Sequence, residues 1–336
     1  MSRVKVERNI SYDEGRDTYY VYMDLGQDET GARVRKYKTY PTLTLARKGL
    51  RAFLAERESR KMVAPSSMTL DQWLDYWMEQ VIRPGRAETT VYGYQKIIDN
   101  HLSPALGSVP LQQLSPRHIQ QYYTSLLRDK GLAPNTIRRH HDLLSAALHT
   151  AVRQDVLLRC PTERVEPPKV VPREVHFYGP ENLKRLYALS EGTALELPIR
   201  LAGGLGLRRE EICGLRWSSV DFHLRRIHIC AARTSAGANI VEKETKNRSS
   251  TRVLHMADDL YRLLRREWSR QAETRLAAGS AWRKSGLVLV DKFGAPWPPN
   301  ALSLAFTRFI RRNGLPKVTL HGLRHTFATV ASAQGA

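Results

Sequence analysis

Between Glu166 and Arg173 the chain reads Glu-Pro-Pro-Lys-Val-Val-Pro-Arg. Proline fixes φ and lacks the N–H that a helix needs, so three prolines this close forbid a helix and favour an extended, semi-rigid strap. A chain of 336 residues interrupted in this way is not one continuous helical body. A second break, Val63-Ala64-Pro65-Ser66-Ser67, has the composition of a linker. The expected layout is a small domain over 1–62, a linker over 63–68, a helical domain over 69–165, the strap over 166–173 and a C-terminal domain over 174–336.

Periodicity gives each piece a different character. Tyr19–Met23 and Arg33–Tyr40 are rich in aromatic and β-branched residues around a turn at Gln27–Gly31, and Thr44 is placed to cap a helix reaching about Lys61. A three-stranded sheet plus one helix is expected there. Beyond Thr69, Leu70, Trp73, Leu74 and Trp77 recur at helical spacing. Further helices are expected over about 88–101, after Ser115-Pro116 and after Pro134, so the aromatic stripe belongs to the core of a four-helix module. The C-terminal part reads as mixed, with strands near Arg226–Ala231 and Thr251–Met256 among helices near 180–189, 195–205, 258–278 and 300–313, the last beginning near Leu320. The expected fold class is multidomain, mainly α with small β-sheets.

Charge narrows the function. Lys and Arg number 53 against 33 Asp and Glu, a net +20, with most of the excess beyond residue 173. Arginine, whose planar fork matches phosphate oxygens, far outnumbers lysine. This balance points to a polyanion, in the first place nucleic acid. Arg33, Arg35 and Lys36, interleaved with tyrosines, suit a strand lying in a DNA groove, and they suit equally the solvated face of a small domain. No apolar run approaches the roughly 18 residues of a membrane span, and Met1–Ile10 lacks the apolar core of a secretory signal. Cys160, Cys213 and Cys230 form no Cys-x-x-Cys, which fits a reducing cytoplasm.

Three segments carry candidate chemistry. In Gly203-Gly204-Leu205-Gly206-Leu207-Arg208 no Gly-Lys-Ser/Thr follows the glycines and the dinucleotide fingerprint spacing is absent, so no nucleotide loop is expected. Arg208 instead heads a helix, where a cation is electrostatically misplaced unless an anion lies near, and Glu211 is three residues on. Around Lys243 and Lys246 a polar basic stretch between two strands is expected to hold Lys246 at a hairpin tip. In Thr319–Thr329, His321 and Arg324 share one face at the start of a helix. His321 and His325 make at most half a metal site, and no third ligand is evident, so no metal is expected. Basic groups with a neutral histidine suit stabilising a phosphate oxyanion and moving a proton.

Gly-Leu-Arg-x-x-Glu at Arg208 and Glu211, Thr-Lys-x-x-x-Ser at Lys246, and His-x-x-Arg-His-Thr-Phe-Ala from His321 together resemble the tyrosine recombinases, in particular the three-part integrases of phages and conjugative elements. The resemblance implies an arm-type DNA-binding domain, a helical SAM-like core-binding domain and a mixed α/β catalytic domain. It implies that Arg208 and Arg324 hold the scissile phosphate, that Lys246 (or Lys243) protonates the leaving oxygen, that His321 assists and that Glu211 supports Arg208. It further implies Arg138 and Arg139 as core-site DNA contacts, and Arg33, Arg35 and Lys36 as arm-site contacts. Partners would be core- and arm-type attachment sites, a homotetramer on DNA, an excisionase and a DNA-bending host factor, in the bacterial cytoplasm, with no cofactor and no membrane. The family's nucleophile is a tyrosine following a Gly-His or Gly-Trp box. The last tyrosine here is Tyr261, in the helical pattern of Leu260, Leu263 and Leu264. The expectation is a C-terminally incomplete recombinase, inactive without its tyrosine segment. The alternative is a non-catalytic DNA-binding protein with the same fold.

Overall fold

The structure, a computed structural model, describes residues 3–27, 33–58, 63, 65–170, 172, 176–244 and 251–333. It divides into two units, Met1–Pro172 and Arg173–Ala336. Among the described residues no helix is long and apolar enough to cross a membrane.

The first unit begins with an antiparallel meander, β1 (Val4–Glu7), β2 (Ile10–Asp13), β3 (Thr18–Gln27) and β4 (Arg33–Tyr40), with the helix α1 (Leu43–Glu58) packed on β3. The sheet has four strands where three were expected. β1 is too short and too polar to show in hydrophobic periodicity, and the turn into β2 depends on Asn9 at φ 68°, a conformation asparagine tolerates better than most residues. Thr42, not Thr44, caps α1, accepting a hydrogen bond from the Leu45 N–H at 3.3 Å. Ile10, Val21 and Ala46 form the small core.

Four principal helices follow. α2 (Leu70–Trp77) opens with a capping box between Thr69 and Gln72 and continues through a π-helical turn, Met78–Ile82, into α3 (Arg83–Gly85). α4 (Glu88–Ile97) runs likewise through Ile98–Leu102 into α5 (Ser103–Leu106). Ser115 caps α6 (Pro116–Arg128), and α7 spans Pro134–Arg153. The aromatic stripe is core. Trp73 and Trp77 are each 1% exposed, and their indole N–H groups donate to the Ala147 carbonyl (3.0 Å) and Thr150 Oγ1 (3.2 Å) on α7, so burial leaves neither donor unsatisfied.

The second unit packs helices around two small sheets. Its helices are α8 (Pro180–Ser190), α9 (Glu196–Leu205), α10 (Arg209–Gly214), α11 (Asp258–Ala278), α12 (Pro299–Arg312) and α13 (Leu320–Ala333). β5 (Val220–Asp221), β6 (Arg226–Ile229) and β9 (Arg252–His255) form one antiparallel sheet, and β7 (Ala231–Ala236) with β8 (Asn239–Glu244) the other. The strand expected over 226–231 is therefore split at Cys230 between two sheets, and β8 escaped notice because its residues are mostly polar or charged. The turn expected around Lys246 lies outside the described residues; of the strands expected before and after it, β6 pairs antiparallel with β9, and the added β8 pairs with β7. α10 lies directly on β7: a Cβ at Gly214 would stand 2.8 Å from the Ala232 Cα.

Candidate active site

α9 ends at Gly206, whose φ of 63° suits glycine and strains any other residue. The chain passes through buried Leu207 to Arg208, which precedes α10 with extended backbone. This places the Arg208 backbone N–H 2.8 Å from Glu211 Oε2, and its guanidinium Nη1 2.9 Å from Glu211 Oε1. Glu211 is only 3% exposed. Arg252, the first residue of β9, donates from Nη1 and Nη2 to the same two oxygens at 3.0 and 2.8 Å. Burial works to raise the Glu211 pKa, but the hydrogen bonds and charges of Arg252 and Arg208 outweigh it and hold the carboxyl below its usual range. Glu211 is thus an ionised joint between two arginines.

The second arginine motif reaches the same place from the far end of the unit. Arg324, on α13, donates to the Gly206 carbonyl. Burial, followed by the like charge of Arg208, weighs against its guanidinium, with Glu211 acting in its favour and Arg252 against. An arginine does not lose its proton under such pressure; the strain instead favours an incoming anion. α13 is seated by two further contacts. The Phe327 ring lies 2.6 Å from where a Gly206 Cβ would be, and buried Thr326 accepts the Tyr178 backbone N–H at 2.9 Å. His321 stands one turn before Arg324, with its ring centroid 4.8 Å from that of His325. Burial first, then His325, Arg324 and Arg208, push its imidazole below its ordinary value, against the opposing pull of Glu210. At neutral pH it is uncharged, able to accept or donate a proton.

The pairs Arg208–Glu211 and His321–Arg324, far apart in sequence, are thus brought within electrostatic reach of each other. Lys246 lies outside the described residues. Lys243 is half-buried on β8, opposite Ala232. Arg138 and Arg139 are exposed on α7, the former 3.2 Å from Asp142 in an i,i+4 ion pair. Arg33, Arg35 and Lys36 are exposed on β4. Tyr261 packs against the core of the second unit, its ring edge-on to Phe222 and covered by the Arg225 guanidinium at 4.8 Å. Sequence reasoning missed Arg252. The signal was present: strand alternation puts Arg252 on the same face as Leu254, and an arginine facing inward requires a buried acid.

Comparison with known proteins agrees with this fold. Residues 177–336 match the model of the phage integrase family, and residues 69–127 match that of the phage integrase N-terminal SAM-like domain. A tyrosine recombinase XerC-like protein of Caldanaerobacter subterraneus is 24% identical over 96% of this chain and 87% of its own length. An integrase of Streptomyces ambofaciens is 25% identical over 99% of this chain and 87% of its own. Among solved structures, the Tn1549 transposon integrase in complex with transposon right end DNA superposes with a TM-score of 0.68, at 21% identity, over 80% of this chain and 88% of that one. A lambda integrase dimer bound to a core site gives 0.57 at 18% identity, over 99% and 90%. The chain belongs to the tyrosine recombinase family.

Proposed function

We propose that the protein is a site-specific DNA recombinase of an integrating element, and that its C-terminal unit activates a scissile phosphodiester for attack by a tyrosine, giving a 3′-phosphotyrosyl intermediate. One observation carries this reading: Arg208 and Arg252 share the buried carboxylate of Glu211, and Arg324, bonded to the Gly206 carbonyl, adds a third cation within electrostatic reach, leaving positive charge uncompensated beside a neutral His321. Such preorganised donors act most strongly where charge develops, on the non-bridging oxygens of a phosphorane. Arg208 and Arg324 take those oxygens, His321 bonds one of them or passes a proton, and Lys246 protonates the departing 5′ oxygen. The energy of the broken bond is kept in the tyrosyl ester, so no nucleotide is consumed. The relatives named tyrosine recombinase and integrase, and the DNA in the matching structures, support DNA as the substrate. A lambda integrase tetramer on a Holliday junction, similar in fold with a TM-score of 0.58, supports a tetrameric working form.

The ring of Tyr261 is occupied by packing against Phe222 and Arg225, so this reading does not assign it as the nucleophile. The test is a nicked suicide substrate carrying the element's own core site. Protein from the full reading frame forms a denaturant-resistant adduct whose phosphate is mapped by mass spectrometry to a tyrosine, and residues 1–336 alone bind the DNA without forming it. An adduct through Tyr261 would refute this assignment.

A further inference from the structure

We propose that Arg252 is a positioning residue for the phosphate clamp: by occupying both oxygens of Glu211 it keeps Arg208 from closing onto that carboxylate, and so keeps the Arg208 guanidinium turned toward substrate. The reasoning starts from the acceptor capacity of Glu211. Each carboxylate oxygen accepts two hydrogen bonds, Oε1 from Arg208 Nη1 and Arg252 Nη1, and Oε2 from the Arg208 backbone N–H and Arg252 Nη2. Arg208 therefore spends one side-chain N–H on Glu211, and its side chain stays 46% exposed. Arg252 does the opposite: it spends both terminal nitrogens on the carboxylate, and its side chain is 26% exposed.

Remove Arg252, and a carboxylate 3% exposed loses half its donors. An ionised acid so placed recruits whatever donor is in reach. The nearest is Arg208, whose fork matches a carboxylate bidentately as well as it matches a phosphate. The clamp would then be consumed by its own support. Arg252 also offsets the charge of Glu211, so that Arg208 and Arg324 meet the substrate with their own charge undiminished.

Two measurements on Arg252→Ala test this, the first independent of any enzymatic reading. A crystal structure of residues 1–336 with that substitution should show Arg208 turned inward with two side-chain nitrogens on Glu211. An Arg208 unmoved from its present geometry overturns the proposal. The second rests on the recombinase reading and uses protein from the full reading frame on suicide substrates bearing either a phosphodiester or an uncharged methylphosphonate at the scissile position. Arg252→Ala should slow phosphodiester cleavage roughly ten- to hundredfold, with core-site affinity within about twofold. Arg252→Lys should recover part of the rate. On the methylphosphonate, where less negative charge needs stabilising, the ratio of wild-type to variant rate should shrink toward one. Equal slowing on both substrates would reduce Arg252 to a fold-stabilising residue and overturn its positioning role. If the wild-type protein forms no adduct while Arg208 still turns inward in the variant crystal, the recombinase reading fails and the positioning of Arg208 by Arg252 stands.

Discussion

The Arg324 guanidinium donates a hydrogen bond to the carbonyl of Gly206, 118 residues earlier and two residues before Arg208. One peptide group thus ties the two arginine motifs together. Gly206 serves three ends at once: its φ of 63° stops α9, its carbonyl holds Arg324, and its missing side chain admits the Phe327 ring.

Gly206→Ala should therefore harm both stability and function. The left-handed backbone costs a non-glycine residue about 1–2 kcal/mol, and the new methyl group must also displace Phe327 and with it α13. A loss of about 2 kcal/mol or more in denaturant titration is expected, with partial recovery when Phe327→Leu is added. Full wild-type stability in the single variant would mean that α13 is not seated as described.

In the first unit, acid should act through His140. Its side chain is buried, with the residue 1% exposed, and its Nδ1 is hydrogen-bonded to the Tyr122 hydroxyl at 2.7 Å. Burial, with a smaller push from the adjacent His101, lowers its pKa to about 4. The unfolded chain takes up this proton near pH 6.5, whereas the native state resists it until about 4. Stability is consequently complete above pH 6.5, falls as the pH drops through that window and then levels off, a loss of about 3 kcal/mol from this residue alone. An NMR titration of the His140 ring should give a midpoint near 4; a midpoint at 6 or above would contradict its burial as the neutral form.

The aromatic core of the helical module and the two arginine-bearing helix starts were legible in sequence, because each depends on local chemistry or short-range periodicity. Trp73 and Trp77 declare a core by spacing alone, and Arg208 declares a helix start where a cation does not belong. β1, β8 and the split at Cys230 were not legible, since short polar strands owe their existence to pairing partners that sequence does not name. Arg252 was missed for a related reason. Its importance lies in Glu211, 41 residues away, and only the fold brings them together.

Charge on β4 should divide the labour of DNA binding. Arg33, Arg35 and Lys36 stand exposed on a strand at the edge of the N-terminal sheet. In the proposed layout, replacing all three by Ala should weaken binding to distal arm-type sites and flatten the salt dependence there by up to about three phosphate contacts. Core-site binding should persist. Equal loss at both kinds of site would show that the N-terminal sheet is not a separate DNA-binding module.

The most direct measurement compares binding and cleavage in Arg208→Ala and Arg324→Ala, made in protein from the full reading frame and followed on a single suicide substrate. Each arginine is one cation among many along a chain of net charge +20, so affinity for core DNA should fall only a few-fold. Cleavage should fall by roughly two to three orders of magnitude, the effect of losing one preorganised oxyanion donor. If affinity and cleavage fell in step, or if cleavage kept its wild-type rate, the arginines about Glu211 would be a binding surface and not the device that stabilises the transition state.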